Sequence, residues 1–275
     1  MYKGKQKKLA VINDFSGFGR CSLTVSLPIV SSFGIQCCCL PTAIFSNHTA
    51  YESYFFDDYT DKMQEFTKNW ELLELGFDGI YSGFLGSAKQ VDIVINFISR
   101  FKGENTRLIV DPVMGDNGVL YSTCTDEMRK ELKKLAALAD IVTPNLTELC
   151  FLTDTPYSRD LSRDQIIKMA AQLCGNGSKN VVVTGISKDN VISNLIYSGE
   201  GYCFVSSLKQ GIERAGTGDV FSSVVAAAVV NGETLRDAVL KAVRLIEKAG
   251  RISDELEIPP ENGICFEKLI KLDLY

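Results

Sequence analysis

The residues with the most chemical potential in this 275-residue chain are Ala215-Gly216-Thr217-Gly218-Asp219, followed by the apolar run Val220 to Val230. A Gly-Thr-Gly turn that opens a helix leaves backbone N–H groups unpaired at the positive end of the helix dipole. Glycine lets an anion approach those groups closely. An acid there would repel a phosphate, so Asp219 is out of place in a simple anion site. It fits a site where Asp219 takes a proton from a hydroxyl while the amides of Gly216, Thr217 and Gly218 hold the charge building on a transferred phosphoryl group. A plain helix cap is the alternative reading of Asp219.

Two further segments carry acids. Asp111-Pro112-Val113-Met114-Gly115-Asp116 follows the apolar run Leu108 to Val110, and Thr143-Pro144-Asn145-Leu146-Thr147-Glu148 follows Ile141 and Val142. Doubly wound sheets bind ligands at the carboxyl ends of their strands. Hard oxygen donors there suit Mg²⁺ held together with nucleotide phosphates and water. Taken singly, each segment is also ordinary turn chemistry. The segment Ser16-Gly17-Phe18-Gly19-Arg20-Cys21-Ser22 looks like a dinucleotide loop, but Ser22 replaces the third glycine and Gln36 to Leu40 ends without an acid. A nicotinamide dehydrogenase is thereby excluded. Asn13 and Asp14, at the start of that loop, can donate and accept hydrogen bonds into a ligand crevice. No GxxxxGK[ST] phosphate loop is present.

His48 is the only histidine, in Phe45-Ser46-Asn47-His48-Thr49-Ala50-Tyr51. Polar side chains between aromatics suit a flat heteroaromatic ring, and a satisfied loop histidine would read the same. One histidine cannot build an HExxH or Cys₂His₂ zinc site, and any Ser-His-Asp triad would have to use His48. The chemistry must lean on carboxylates, backbone amides and bound ions.

The elements that position these residues alternate along the chain. Apolar strands are expected at 9–13, 36–40, 79–82, 108–110, 141–143 and 180–184. Helical patterns are expected at 21–33, 61–75 with Asp61 as cap, 91–101, 125–138 and 164–173. Residues 192–197 and 201–205 flank Ser198-Gly199-Glu200 as an antiparallel hairpin, and 41–58 reads as a flap or a small edge sheet. Continuous apolar strands between amphipathic helices predict a three-layer α/β fold, a doubly wound, mostly parallel sheet covered on both faces. With no linker or repeat, residues 1–275 read as one domain.

Composition sets the outer limits. Hydrophobic residues make up 45% and charged residues 23%, as in ordinary globular proteins. Net charge is −5 without a basic stretch, which argues against nucleic acid. No apolar run approaches the roughly 18 residues that span a bilayer. Met1 to Lys8 is basic, but 9–13 is too short for a signal-peptide core. Nine cysteines without a CxxC pair, mostly inside apolar runs, read as buried reduced thiols in the cytoplasm.

These motifs are found together elsewhere. FSNHTAY (45–51), YSGFLGSAKQ (81–90), DPVMGD (111–116), TPNLTEL (143–149) and AGTGD (215–219) resemble, in order, the segments of the ribokinase-like small-molecule kinases. Within that superfamily the chain is most similar to the pyridoxal (vitamin B6) kinases. The resemblance implies transfer of the ATP γ-phosphate to the 5′-hydroxymethyl group of pyridoxal, pyridoxamine or pyridoxine. It makes Asp219 the base and Gly216 to Gly218 the anion hole. It places Asp111, Asp116, Thr143 and Glu148 around Mg²⁺, a monovalent cation such as K⁺ and the phosphates, with Asp111 and Glu148 as metal ligands. It puts Thr184 on phosphate, and Phe45, Thr49, Phe84 and His48 around the pyridine ring, with Asn13 or Asp14 at the loop. It also implies a homodimer. The chain departs from the family at NDFSGFG (13–19), which replaces a Gln-Ser-His form, and at Phe84, where many relatives carry Tyr. It also lacks the lid cysteine of a related group within 209–215. A hydroxymethylpyrimidine (phosphate) kinase of thiamine synthesis is the neighbouring alternative, and an inactive ligand-binding homologue the remote one.

Overall fold

The computed structural model of the chain describes residues 5–209 and 211–270. In chain order its elements are β1 (Lys8–Phe18), α1 (Ser22–Ser32), β2 (Gln36–Asn47), β3 (Phe56–Asp58), α2 (Thr60–Leu72), β4 (Gly79–Ser82), α3 (Ala88–Phe101) and β5 (Arg107–Val110). Next come the short strands β6 (Gly115–Asp116) and β7 (Val119–Leu120), then α4 (Asp126–Ala137), β8 (Ile141–Val142), α5 (Leu146–Leu152) and α6 (Arg163–Gly175). The chain continues through β9 (Asn180–Lys188), β10 (Val191–Ser198), β11 (Gly201–Leu208), α7 (Thr217–Val230) and α8 (Leu235–Glu255).

Nine strands form one sheet in the order β11-β10-β9-β8-β5-β4-β1-β2-β3. Its six central strands, β9 to β2, are parallel, β3 at one edge and β10 near the other run against them, and the edge strand β11 pairs antiparallel with β10. Side chains alternate across each central strand. Ala10 and Ile12 of β1 enter the core under α2 to α6, and Leu9 and Val11 enter the core under α1, α7 and α8. Burial on both faces accounts for the unbroken apolar runs. The chain leaves β1 toward β2 on one side and later returns to place β4 on the other. The crevice between β1 and β4 is therefore the topological switch point, where such sheets bind ligands.

The expected parallel sheet and helices are present, and the hairpin expected at 192–205 is there as β10 and β11. In the 41–58 segment Ala43 to Phe45 of β2 pair with Asp58 to Phe56 of β3 as an edge sheet, and residues 48–55 form the flap that joins the two strands. Some expectations need correction. Strand β1 does not end at Asn13. It runs on to Phe18 beside a lengthened β2, with a bulge between Asn13 and Phe15, because the partner strand supplies hydrogen bonds that local propensity does not advertise. Asp61 does not cap α2. It lies in the first turn paired with Lys89, while the Asp58 carboxylate accepts from Thr60 N. Of the nine cysteines, all free, only Cys21, Cys124, Cys150 and Cys265 are buried, and Cys37, Cys38, Cys39, Cys174 and Cys203 are half-buried. The basic N-terminal stretch lies partly outside the described residues.

Candidate active site

The site grows from the carboxyl ends of β1 and β4. Asn13 is fully buried, and its Nδ2 donates to Asp219 Oδ1 at 3.2 Å. Its Oδ1 accepts from Phe84 N at 2.8 Å and Asp14 N at 3.0 Å, so one carboxamide spans the switch-point crevice. Gly83 has to be glycine here, because a Cβ would lie 2.5 Å from Asn13 Nδ2. Asp14, also buried, is turned to the hydroxyls of Ser16 and Ser22. Of the two loop candidates, Asn13 is therefore the one that touches Asp219.

Helix α7 opens on Gly216, whose φ is +72°. A Cβ there would stand 1.7 Å from the carbonyl oxygen of Arg20. Thr217 turns its hydroxyl back to Arg214 O at 2.8 Å. Gly218 is exposed with nothing near the position of a Cβ, so its face of the turn is open. Asp219, in the first turn, also accepts from the backbone N–H of Ser22. Ser22 itself is held at φ +53°, an uncommon conformation for a non-glycine residue. Burial and the charge of Asp14 push the Asp219 carboxyl up to about 6, against the pull of its two hydrogen bonds.

The second acidic group lies deeper. Asp111 Oδ2 accepts from Ser222 Oγ at 2.9 Å, and Ser222 Oγ is 3.1 Å from Thr143 Oγ1. Ser222 follows Asp219 by three positions on α7, so the two share a helix face. Burial first, and then the Asp219 charge, raises Asp111 to about 8. Glu148 is buried at the start of α5 with Oε1 accepting from Met114 N at 3.1 Å and Oε2 from Asn145 N at 2.8 Å. With Asn145 Oδ1 it forms a capping box. Its carboxyl too is pushed well up by burial and by Asp111. No lysine or arginine offsets Asp14, Asp111, Glu148 or Asp219 among the described residues. Uncompensated buried acids of this kind call for a cation. Asp111 and Glu148 fit Mg²⁺, provided phosphates and water complete its shell, since no group of three or more metal-binding side chains occurs among the described residues.

Other expected residues divide. Asp116 is exposed in the β6–β7 hairpin and accepts from Asn117 N at 2.8 Å, which is turn chemistry. Thr184 lies in β9, with its N–H on Pro144 O at 2.9 Å, beside the start of α5. Phe45 is buried with its ring 6.3 Å from that of the half-buried Phe84 and 4.9 Å from that of Phe56, so three aromatic rings cluster beside the Asn13 contact to Phe84 N. Thr49 is exposed on the flap. Both His48 nitrogens have partners: Nε2 donates to Glu261 O at 2.6 Å, and Nδ1 accepts from Ala50 N at 3.3 Å. With Tyr51, whose hydroxyl donates to Asn262 Oδ1 at 2.7 Å, His48 ties the flap to the C-terminal segment. That segment also holds Ala215 N through Pro260 O at 3.2 Å. His48 is thus a strut between flap and glycine turn, and the satisfied-histidine reading describes it.

Several residues of the site are not among those expected from the sequence. Ser222 was legible from its i+3 spacing to Asp219, and the Asn145–Glu148 box from its N-x-x-E pattern. Ser22 as a backbone donor had no signal. Nor did Tyr81 and Ser82, two hydroxyls at the end of β4 that are buried with no hydrogen-bond partner among the described residues.

Acids over the carboxyl ends of a mostly parallel sheet, with a glycine turn opening a helix beside them, define a ribokinase-like phosphotransferase. The chain belongs to the phosphomethylpyrimidine kinase family, whose model matches residues 29–264. It is 30% identical over 217 residues to the pyridoxal kinase PdxY of Histophilus somni, covering 73% of each chain. A Bacteroides thetaiotaomicron protein described as a candidate phosphomethylpyrimidine kinase is 40% identical with a TM-score of 0.95, over 98% of this chain and 94% of that one. A second crystal form of that protein, containing pyridoxal, is 39% identical with a TM-score of 0.93, over 97% and 95% of the two chains. The multifunctional thiamine biosynthesis protein ThiED of Corynebacterium glutamicum is 27% identical over 94% of this chain and 31% of its own length.

Proposed function

We propose that this protein is an ATP-dependent vitamin B6 kinase that phosphorylates the 5′-hydroxymethyl group of pyridoxal, pyridoxamine or pyridoxine. The observation that carries the reading is the Asp219 carboxylate, raised to about 6 at the mouth of a glycine turn whose Gly218 face is open. The Bacteroides relative that contains pyridoxal supports the choice of substrate. In this reading the vitamer ring lies against Phe45 and Phe84, and its hydroxymethyl group reaches Asp219. As the hydroxyl oxygen bonds to the γ-phosphorus of ATP, its proton passes to Asp219 and ADP leaves. The amides of the 216–218 turn take up the charge on the phosphoryl oxygens. Mg²⁺ bound through Asp111 and Glu148 would neutralise the triphosphate, with Thr143 and Thr184 beside it. Phosphoryl transfer needs positioning and charge stabilisation rather than covalent help, and a base adds about 10² to 10⁴-fold.

One domain spanning the chain, a homodimer and a cytoplasmic setting complete the proposal. Nine free cysteines support a reducing compartment. Light scattering on the purified protein tests the dimer. The thiamine-pathway reading, phosphorylation of hydroxymethylpyrimidine, is favoured by the family model and by the ThiED relative. Initial rates with ATP on the three vitamers and on hydroxymethylpyrimidine decide between them. We expect the highest kcat/KM on a vitamer. A clear preference for the pyrimidine overturns the B6 assignment, and silence on all four substrates marks a non-catalytic homologue.

A further inference from the structure

The run Cys37-Cys38-Cys39 in β2 plays no part in the chemistry above. Alternation along the strand puts Cys37 and Cys39 on the face toward α1 and Cys38 on the other. The Sγ atoms of Cys37 and Cys39 are 3.7 Å apart, and both residues are half-buried, within reach of solvent. β3 pairs with β2 only at Ala43 to Phe45, so no strand of the described residues covers the β3-side edge at 37–39. No second contact between cysteine sulfurs is found among the described residues.

We infer that Cys37 and Cys39 form a dithiol site for a thiophilic metalloid or metal ion that binds through two thiolates. Geometry favours a bridging atom over a disulfide. A disulfide needs its sulfurs at about 2.05 Å and its Cβ atoms within about 4.5 Å. That would demand a large contraction from 3.7 Å between neighbours on one face of an extended strand. An atom bonded to each sulfur at about 2.3 Å, the Zn–S length, spans 3.7 Å at an S–X–S angle of about 107° with no backbone movement. The Cys37 thiol donates to the Cys39 sulfur, which holds the Cys39 thiol below its ordinary value. No third protein ligand of the His, Cys, Asp or Glu type joins the pair among the described residues. The occupant is therefore one satisfied by two sulfurs, its other positions filled by its own substituents or by small ligands.

Phenylarsine oxide is the matching probe. Each thiol gives up its proton, two S–As bonds form, the arsenic-bound oxygen leaves as water, and no atom changes oxidation state. The reduced native protein is treated with one equivalent, weighed intact by mass spectrometry and mapped by proteolysis. One adduct per chain on the peptide holding residues 37–39 is expected, displaced by excess 2,3-dimercaptopropanol. Cys37→Ser and Cys39→Ser should each lower its occupancy at least tenfold, and Cys38→Ser should leave it intact. No adduct on the wild-type protein, an adduct mapped to other cysteines, or one that survives in Cys37→Ser and Cys39→Ser would each overturn the assignment. Mapping of the wild-type adduct decides the matter if a serine variant fails to fold.

Discussion

Asn13 Nδ2 sits 3.2 Å from Asp219 Oδ1, joining the end of the first strand to a residue 206 positions later. The contact fixes the acid with a neutral donor, where a lysine would have held it permanently ionised. Replacing the amide by a second acid should raise the Asp219 pKa, because like charges disfavour ionisation of both. Asn13→Asp is therefore expected to move the acid limb of the kcat/KM profile upward by about one unit or more. Asn13→Ala should instead lower thermal stability, since it strips partners from Asp219 and Phe84 N at a cost of about 1–3 kcal/mol each. pH–rate profiles and melting curves of the two variants distinguish these effects.

Asp219→Asn should lower kcat by about 10² to 10⁴-fold while nucleotide binding, read by calorimetry, persists. In the wild-type enzyme kcat/KM should climb with pH through about 6, where the base ionises. Near-native turnover by the variant would remove Asp219 from the role of base.

Much of this was written in local patterns. The buried strands declare themselves as apolar runs such as Leu9 to Ile12, and the 191–208 hairpin by its glycine-bearing turn. Helix α8, not among the expected helices, also carries plain signals, a Thr234 cap and apolar residues at 238, 239, 242 and 243. The extension of β1 through Ser16 and Phe18 left no such trace, because its stability comes from pairing with Phe45 and Asn47 across some thirty residues. The site followed the same division. Acids at strand ends were visible, but the commitment of His48 to Glu261, 213 positions away, depends on how the segment around Pro260 folds back against residues 48–51.

Asp111 gives a linkage prediction with a definite sign. Its folded value of about 8 lies above the ordinary 3.8, so the native state binds a proton that the unfolded chain has already lost. The stability from this group is present below pH 3.8 and is lost as pH rises to about 8. Asp111→Asn lacks this loss. Its melting temperature relative to wild type should grow across that window and level off above it. Adding Mg²⁺ with a non-hydrolysable ATP analogue at pH 8 should stabilise the wild type more than the variant. A constant difference across pH would show that Asp111 keeps an ordinary pKa.

The two glycines of the turn should separate stability from catalysis. Gly216→Ala places a methyl 1.7 Å from Arg20 O at a φ of +72°, so a large fall in melting temperature is expected along with loss of activity. Gly218→Ala meets nothing and gains helix propensity of about 1 kcal/mol at most. It should melt at or above the wild-type temperature, yet turn over more slowly, because its methyl stands at the open face offered to the phosphoryl group. Full activity in Gly218→Ala would move the anion site elsewhere.

Tyr81 is fully buried at the end of β4, and its hydroxyl has no hydrogen-bond partner among the described residues. Ser222 lies beside it and donates to Asp111, and its oxygen is not in hydrogen-bond geometry with the phenol. Burial and the charges of Asp111 and Asp219 drive the phenol far above its ordinary value, so it stays protonated. A buried, unpaired hydroxyl costs about 1–3 kcal/mol, and Tyr81→Phe deletes it while keeping the ring. The ligand-free variant should therefore melt higher than the wild type by a few degrees, against the usual direction for a core substitution. A lower melting temperature would mean that Ser222 Oγ or a trapped water pairs this hydroxyl in solution, and a crystal structure of the wild type would then show that partner.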